Sequence, residues 1–233
     1  MNDRNNQQQA PKTAINDPKL KLYAPPLPGA TQAPSLEPGY ANNHPFLMVR
    51  TNFPNDKDYG RIKAGLDMPA FMETLGLIEK AVNTPDECSF VMENKNKPWS
   101  REQGGRVKEA ILETSIIVGR DKEGRIFIAI LHYDKSRPKV IFHFGSRMYH
   151  SITRRNGELS AAEQSNSAAM AWVGCLRGLM PQVAATNYVH KTMDNKGGNN
   201  NNRGGGNSYS RGNSDHDNTS TGGGDFDDDL PFN

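Results

Sequence analysis

Two strand-like runs, residues 110–118 and 125–133, flank the turn sequence Arg120-Asp121-Lys122-Glu123-Gly124. Runs of apolar and β-branched residues on both sides of such a turn mark a β-hairpin, which commits the middle of the chain to antiparallel sheet. In the second run Ile126, Ile128 and Ile130 point one way and must be core. Arg125, Phe127, Ala129, Leu131 and Tyr133 share the other face. A cation and two rings on one face suit a binding surface; the alternative is a further layer, such as a C-terminal helix, covering it. A third strand follows at 139–144, with Val140, Phe142 and Phe144 inward and Lys139 and His143 outward.

The remaining elements are weaker. Residues 46–51, 61–66 and 88–93 read as strands. Asp67 is a helix N-cap with Pro69 in the first turn, and Phe71, Met72, Leu75, Ile78 and Val82 recur at helical spacing until Asn83-Thr84-Pro85 stops them. Ser160-Ala161-Ala162-Glu163 is a capping box that opens a second helix. Its stripe is Ala169, Trp172, Val173, Leu176 and Leu179; Pro181 is expected to end it, and Gly174 and Gly178 to let backbones approach. A mainly β domain with two helices suits a partly open Greek-key barrel, and the OB-fold is the commonest such barrel that grips single strands.

Four segments follow. Residues 1–44 are polar and Pro-rich, expected to be disordered or draped in extended pieces. Residues 45–192 form one folded domain, 193–224 a Gly/Asn/Ser linker, and 225–233 an acidic tip. Charge divides the same way: residues 45–193 carry 21 Lys/Arg against 16 Asp/Glu, and residues 194–233 carry 3 against 7. A basic body with an acidic tail suits competition between the tail and a polyanion for one groove.

Other chemistries find little footing. Cys88 and Cys175 have no metal or disulfide spacing, and His132, His143 and His150 read as surface or hydrogen-bonded residues, so no metal or cofactor is expected. Walker, GxSxG and HExxH motifs are missing, which argues against an enzyme. No stretch is long and apolar enough for a membrane span, and the polar N-terminus lacks a signal-peptide core, which points to the cytoplasm.

Single-strand binders need cations that track phosphates and exposed rings on which bases stack. Residues 120–155 hold nine Lys/Arg against three acids, interleaved with aromatic residues. Candidates there are Arg120, Arg125, Phe127, Tyr133, Lys135, Arg137, Lys139, Arg147 and Tyr149. Trp99 and Arg101, in a polar Gly-ended loop, join them. Tyr59 reads equally well as a groove residue and as a plain loop residue.

The tip is Asp225-Phe226-Asp227-Asp228-Asp229-Leu230-Pro231-Phe232-Asn233. Its carboxylates repel one another and keep it solvated. Phe226 and Phe232 have no core to join there and suit anchors for a basic, partly apolar pocket on a partner. A solubilising tail is the plainer alternative. Residues Asp225, Phe226, Asp227, Asp228, Asp229, Leu230, Pro231 and Phe232 resemble the C-terminal peptide of bacterial single-stranded DNA-binding proteins, with Leu230 where many members have Ile. In that family Phe is last and its carboxylate takes part in partner recognition; here Asn233 follows. The order of elements is more similar to the divergent single-stranded DNA-binding proteins of tailed bacteriophages. The resemblance implies an OB-like domain that binds single-stranded DNA without sequence preference. It also implies tail-borne recruitment of replication and repair proteins, and work in the host cytoplasm. Self-association is left open. An RNA-binding or annealing protein, and a replisome adaptor whose barrel binds protein, are the rival readings.

Overall fold

In the computed structural model, which describes residues 13–97, 99–100, 104–145 and 152–189, the chain makes two four-stranded antiparallel sheets, each followed by a long helix. Two 3-10 turns, Ala14–Asn16 and Pro18–Leu20, lead into β1 (Leu22–Tyr23), β2 (Ser35–Ala41) and β3 (His44–Arg50). A single turn, α1 (Lys57–Gly60), precedes β4 (Arg61–Gly65), and α2 (Met68–Asn83) closes the first half. The second half begins with β5 (Cys88–Asn96), then a two-residue ribbon of β6 (Trp99–Ser100) and β7 (Gly105–Arg106). Next come β8 (Ile111–Arg120), β9 (Ile126–His132) and β10 (Ile141–His143). A second small ribbon, β11 (Thr153–Arg154) and β12 (Gly157–Glu158), precedes α3 (Ala161–Thr186).

The fold is mainly β with three helices. Strand orders are β1-β2-β3-β4 and β10-β9-β8-β5. Leaving the small ribbon aside, each sheet is a meander whose neighbours follow one another in the chain. Both sheets are open and antiparallel, and no closed barrel forms among the described residues, where a partly open Greek-key barrel was expected. A count of strands does not say which of them pair, and short connections favour neighbours. The β2–β3 connection is such a case: Asn42 and Asn43 stand at φ +53° and +65°, the left-handed pair that a two-residue hairpin turn requires and asparagine tolerates.

Residues 13–44 also depart from expectation. The extended pieces are β1 and β2, and the segment does more than drape, because it supplies four core side chains, Ile15, Leu20, Ala24 and Leu36. Isolated anchors between prolines leave no periodic pattern to read. One of them is locked from the far end of the chain, because Trp172 Nε1 donates to the Leu20 carbonyl at 2.8 Å.

A single core joins both sheets to α2 and α3, with Leu47, Val49, Ile62, Phe71, Ile116, Ile128, Phe142 and Trp172 all buried. Asp67 caps α2 by accepting from Ala70 N at 2.7 Å, and Ser160 with Glu163 caps α3. Pro181 does not end α3, which runs on to Thr186. Proline removes one hydrogen bond there, but Met180 and Val183 are buried and hold the last turns against the core. Gly174 and Gly178 face open space and bring no backbone close.

Candidate nucleic-acid interface

Alternation in β3 and β4 buries Leu47, Val49, Ile62 and Ala64 and turns Phe46, Met48, Arg61 and Lys63 to the outer face of the first sheet. Across that face Phe46 pairs with Gly39 on one side and Gly65 on the other. Its ring covers Gly39 so closely that a Cβ there would lie 2.1 Å from the ring's Cζ. Beside Gly65 the space is open. The ring is half-exposed, and with glycine at both cross-strand positions no cross-strand side chain flanks it. Lys63 Nζ lies 4.4 Å from its centroid, an attraction of about 0.5–1 kcal/mol at an exposed site.

Phe46, Met48, Tyr59, Arg61, Lys63 and His132 line one open groove of about 530 Å³. Asp58 and Glu113 also border it. Tyr133 is 61% exposed and its ring lies 4.4 Å from that of His132. Burial and the nearby Arg137 charge hold the His132 pKa below its ordinary value, so the imidazole is neutral at pH 7.

The groove's edge is the α1 turn, where Asp58 and Tyr59 sit at φ +52° and +56°. Left-handed backbone costs roughly 1–2 kcal/mol per residue with a side chain, so the turn needs support. Arg137, with a side chain only 2% exposed, supplies it. Its Nε and Nη2 donate to the two Asp56 oxygens at 3.0 and 3.2 Å, and Nη1 to Asp58 at 3.0 Å. Nη2 also reaches the carbonyls of Lys57 and Arg61 at 2.8 and 2.9 Å. Thr51 Oγ1 donates to Asp56 at 2.7 Å. Burial works to raise the Asp56 pKa, but the hydrogen bonds from Arg137 and Thr51 outweigh it and leave that carboxyl below the usual range.

The sequence-predicted cations therefore divide. Arg137 is spent inside the fold. So is Arg120, 6% exposed, which donates to the carbonyls of Ala81, Val82 and Gly124 and to Asn166 Oδ1. Arg125 is paired with Asp121 and Glu123. Lys135 and Lys139 are exposed and, with Tyr133 and Leu131, line a pocket of about 190 Å³ that shares His132 with the groove. Phe127 lies on the outer face of the second sheet, half-exposed, over Gly119 and edge-on to His143 at 6.2 Å. The core lies on the opposite, Ile126–Ile128–Ile130 side of that sheet. Trp99 is in β6, where its backbone pairs with Arg106. Arg101, Arg147, Tyr149 and the tip residues 225–233 fall outside the described residues.

Phe46, Arg61, Lys63 and His132 line the groove but were not among the candidates singled out from the sequence. The alternation Arg61-Ile62-Lys63-Ala64-Gly65 was the available signal, since it puts both cations on one face. Among the described residues no helix is long and apolar enough to cross a membrane. No cluster of His, Cys, Asp or Glu among them is arranged to hold a metal ion. No protein-family model, curated protein or solved structure matches the chain.

Proposed function

We propose that the chain is a sequence-independent single-stranded DNA-binding protein that coats exposed strands in replication, recombination and repair and recruits partners through residues 225–232. The observation that carries the reading is the outer face of the first sheet, where the half-exposed Phe46 ring has glycine at both cross-strand positions and the mobile Lys63 side chain, whose ammonium lies over the ring, as its cation. Every base offers a π face, so stacking on such a ring is tolerant of sequence. In a duplex those faces are already stacked, and the platform favours single strands. Tyr133, Lys135 and Lys139 extend the basic and aromatic surface past His132. An OB-type barrel is one way to present a groove of this kind; two open sheets are another.

The composition of the acidic tip supports the same reading. Its carboxylates imitate a run of phosphates, and its Phe and Leu-Pro-Phe anchors suit a protein pocket. The working compartment is the cytoplasm, that of the host if the protein is phage-encoded. Competition for a labelled oligo(dT) tests the proposal: unlabelled single-stranded DNA should displace it at far lower concentration than duplex of equal length. Equal competition by duplex would refute it, and stronger competition by RNA would assign the groove to RNA.

A further inference from the structure

Tyr59 is the residue the fold explains least. Asp58, Tyr59 and Gly60 stand at φ +52°, +56° and +71°, three successive residues in a region that a bulky side chain rarely enters. Glycine or asparagine at position 59 would take the same backbone with less strain. The ring returns nothing to the core, being 96% exposed. Among the described residues it makes no hydrogen bond, ion pair or ring contact.

Yet the turn is tightly held. The buried Arg137 guanidinium bonds the carbonyls of Lys57 and Arg61, which bracket the turn, and the carboxylates of Asp56 and Asp58. Thr51 N donates to the Gly60 carbonyl at 2.8 Å, and Lys57 Nζ pairs with Asp134. A strained, solvated ring on a rigid mount is preorganised for a ligand. That ring borders the groove that holds Phe46, Arg61 and Lys63.

We infer that Tyr59 is a second stacking ring, which takes one base of a bound strand while Phe46 takes another, and that Arg137 is a positioning residue that holds Tyr59 there. Arg61 and Lys63, on the same groove, offer cations to the phosphates linking those bases. The Asp58 charge, which would oppose a phosphate, is met by Arg137. This inference rests on the single-strand reading and deepens it by naming contacts.

Tyr59→Gly in the full chain removes the ring and the strain together. Its melting temperature should rise while its dissociation constant for a labelled oligo(dT) rises roughly 5- to 150-fold, as expected for loss of one stacked base. Unchanged affinity overturns the Tyr59 assignment and leaves the single-strand reading standing, whereas a wild-type chain that does not bind oligo(dT) overturns both. For the positioning role, Arg137→Lys should weaken binding when Tyr59 is present and add nothing in the Tyr59→Gly background. An equal loss in both backgrounds overturns it. Asp56→Asn, which loosens the same clamp and keeps the arginine, carries the same cycle if Arg137→Lys fails to fold.

Discussion

Gly39→Ala places a methyl group where the Phe46 ring now lies. The new Cβ would stand 2.1 Å from Cζ, 2.5 Å from Cε2 and 2.8 Å from Cε1. Carbon atoms normally pack about 3.5–4.0 Å apart, so the ring has to leave by more than an ångström. It can do so, because it faces outward and is only half-buried. Alanine stabilises a strand interior by about 0.5–1 kcal/mol over glycine. Against that stand the lost Lys63 contact, about 0.5–1 kcal/mol, and an off-rotamer ring, about 0.5–1.5 kcal/mol. Net destabilisation should therefore stay within about 2 kcal/mol. Strand binding should suffer more, because one stacked base is worth about 1–3 kcal/mol, or roughly 5- to 150-fold in Kd. The assay is a thermal melt beside an anisotropy titration of labelled oligo(dT). Gly76→Ala on α2, where a Cβ meets only open space, serves as the control. A folded Gly39→Ala chain with wild-type Kd would show that the Phe46 ring takes no part in gripping the strand.

Arg120→Met should act on stability and not on binding. It strips partners from two carbonyls at the end of α2 and from Gly124, a loss on the order of 3 kcal/mol, and the folded fraction should titrate oligo(dT) normally. The carboxyls of Asp56, Asp121 and Glu37 are depressed in the fold, each because hydrogen bonds and nearby cations outweigh the effect of burial. Stability from depressed carboxyls is complete above their unfolded values and is lost as pH falls through the folded ones. The melting temperature should accordingly hold from pH 7 to 5 and fall below about pH 4, and Asp56→Asn should flatten part of that fall. Deleting residues 225–233 should tighten oligo(dT) binding slightly, most visibly at low salt where the tip competes best, and abolish capture of replication partners. No change in either would reduce the tip to a solubilising end.

The hairpin at the centre of the second sheet was legible because alternation, turn and length agree: Ile126, Ile128 and Ile130 are buried as their parity requires. Asp67 and the Ser160–Glu163 box were legible because capping is local chemistry. What escaped depends on distant partners. Leu20 is core only because Trp172 comes to meet it, and nothing near Pro18 announces that. Pro181 is tolerated only because Met180 and Val183 are buried around it. The basic and aromatic window at 120–155 did not show which of its cations the fold leaves exposed. Arg120 and Arg137 look the same in sequence as Lys135 and Lys139, yet the first two are consumed by carbonyls and carboxylates brought from residues 56–61 and 81–82. Phe46 went unread as a candidate because Gly39 and Gly65 become its neighbours only through the register of β2, β3 and β4.

The proposed function puts a single strand across the outer face of the first sheet. Photo-crosslinking of an oligo(dT) carrying 5-iododeoxyuridine, followed by peptide mapping on the full chain, tests it most directly. Adducts at Phe46 and Tyr59, lost on competition with unlabelled single strand and retained with duplex, are the expected result. Efficient crosslinking that maps elsewhere and spares both rings would contradict it.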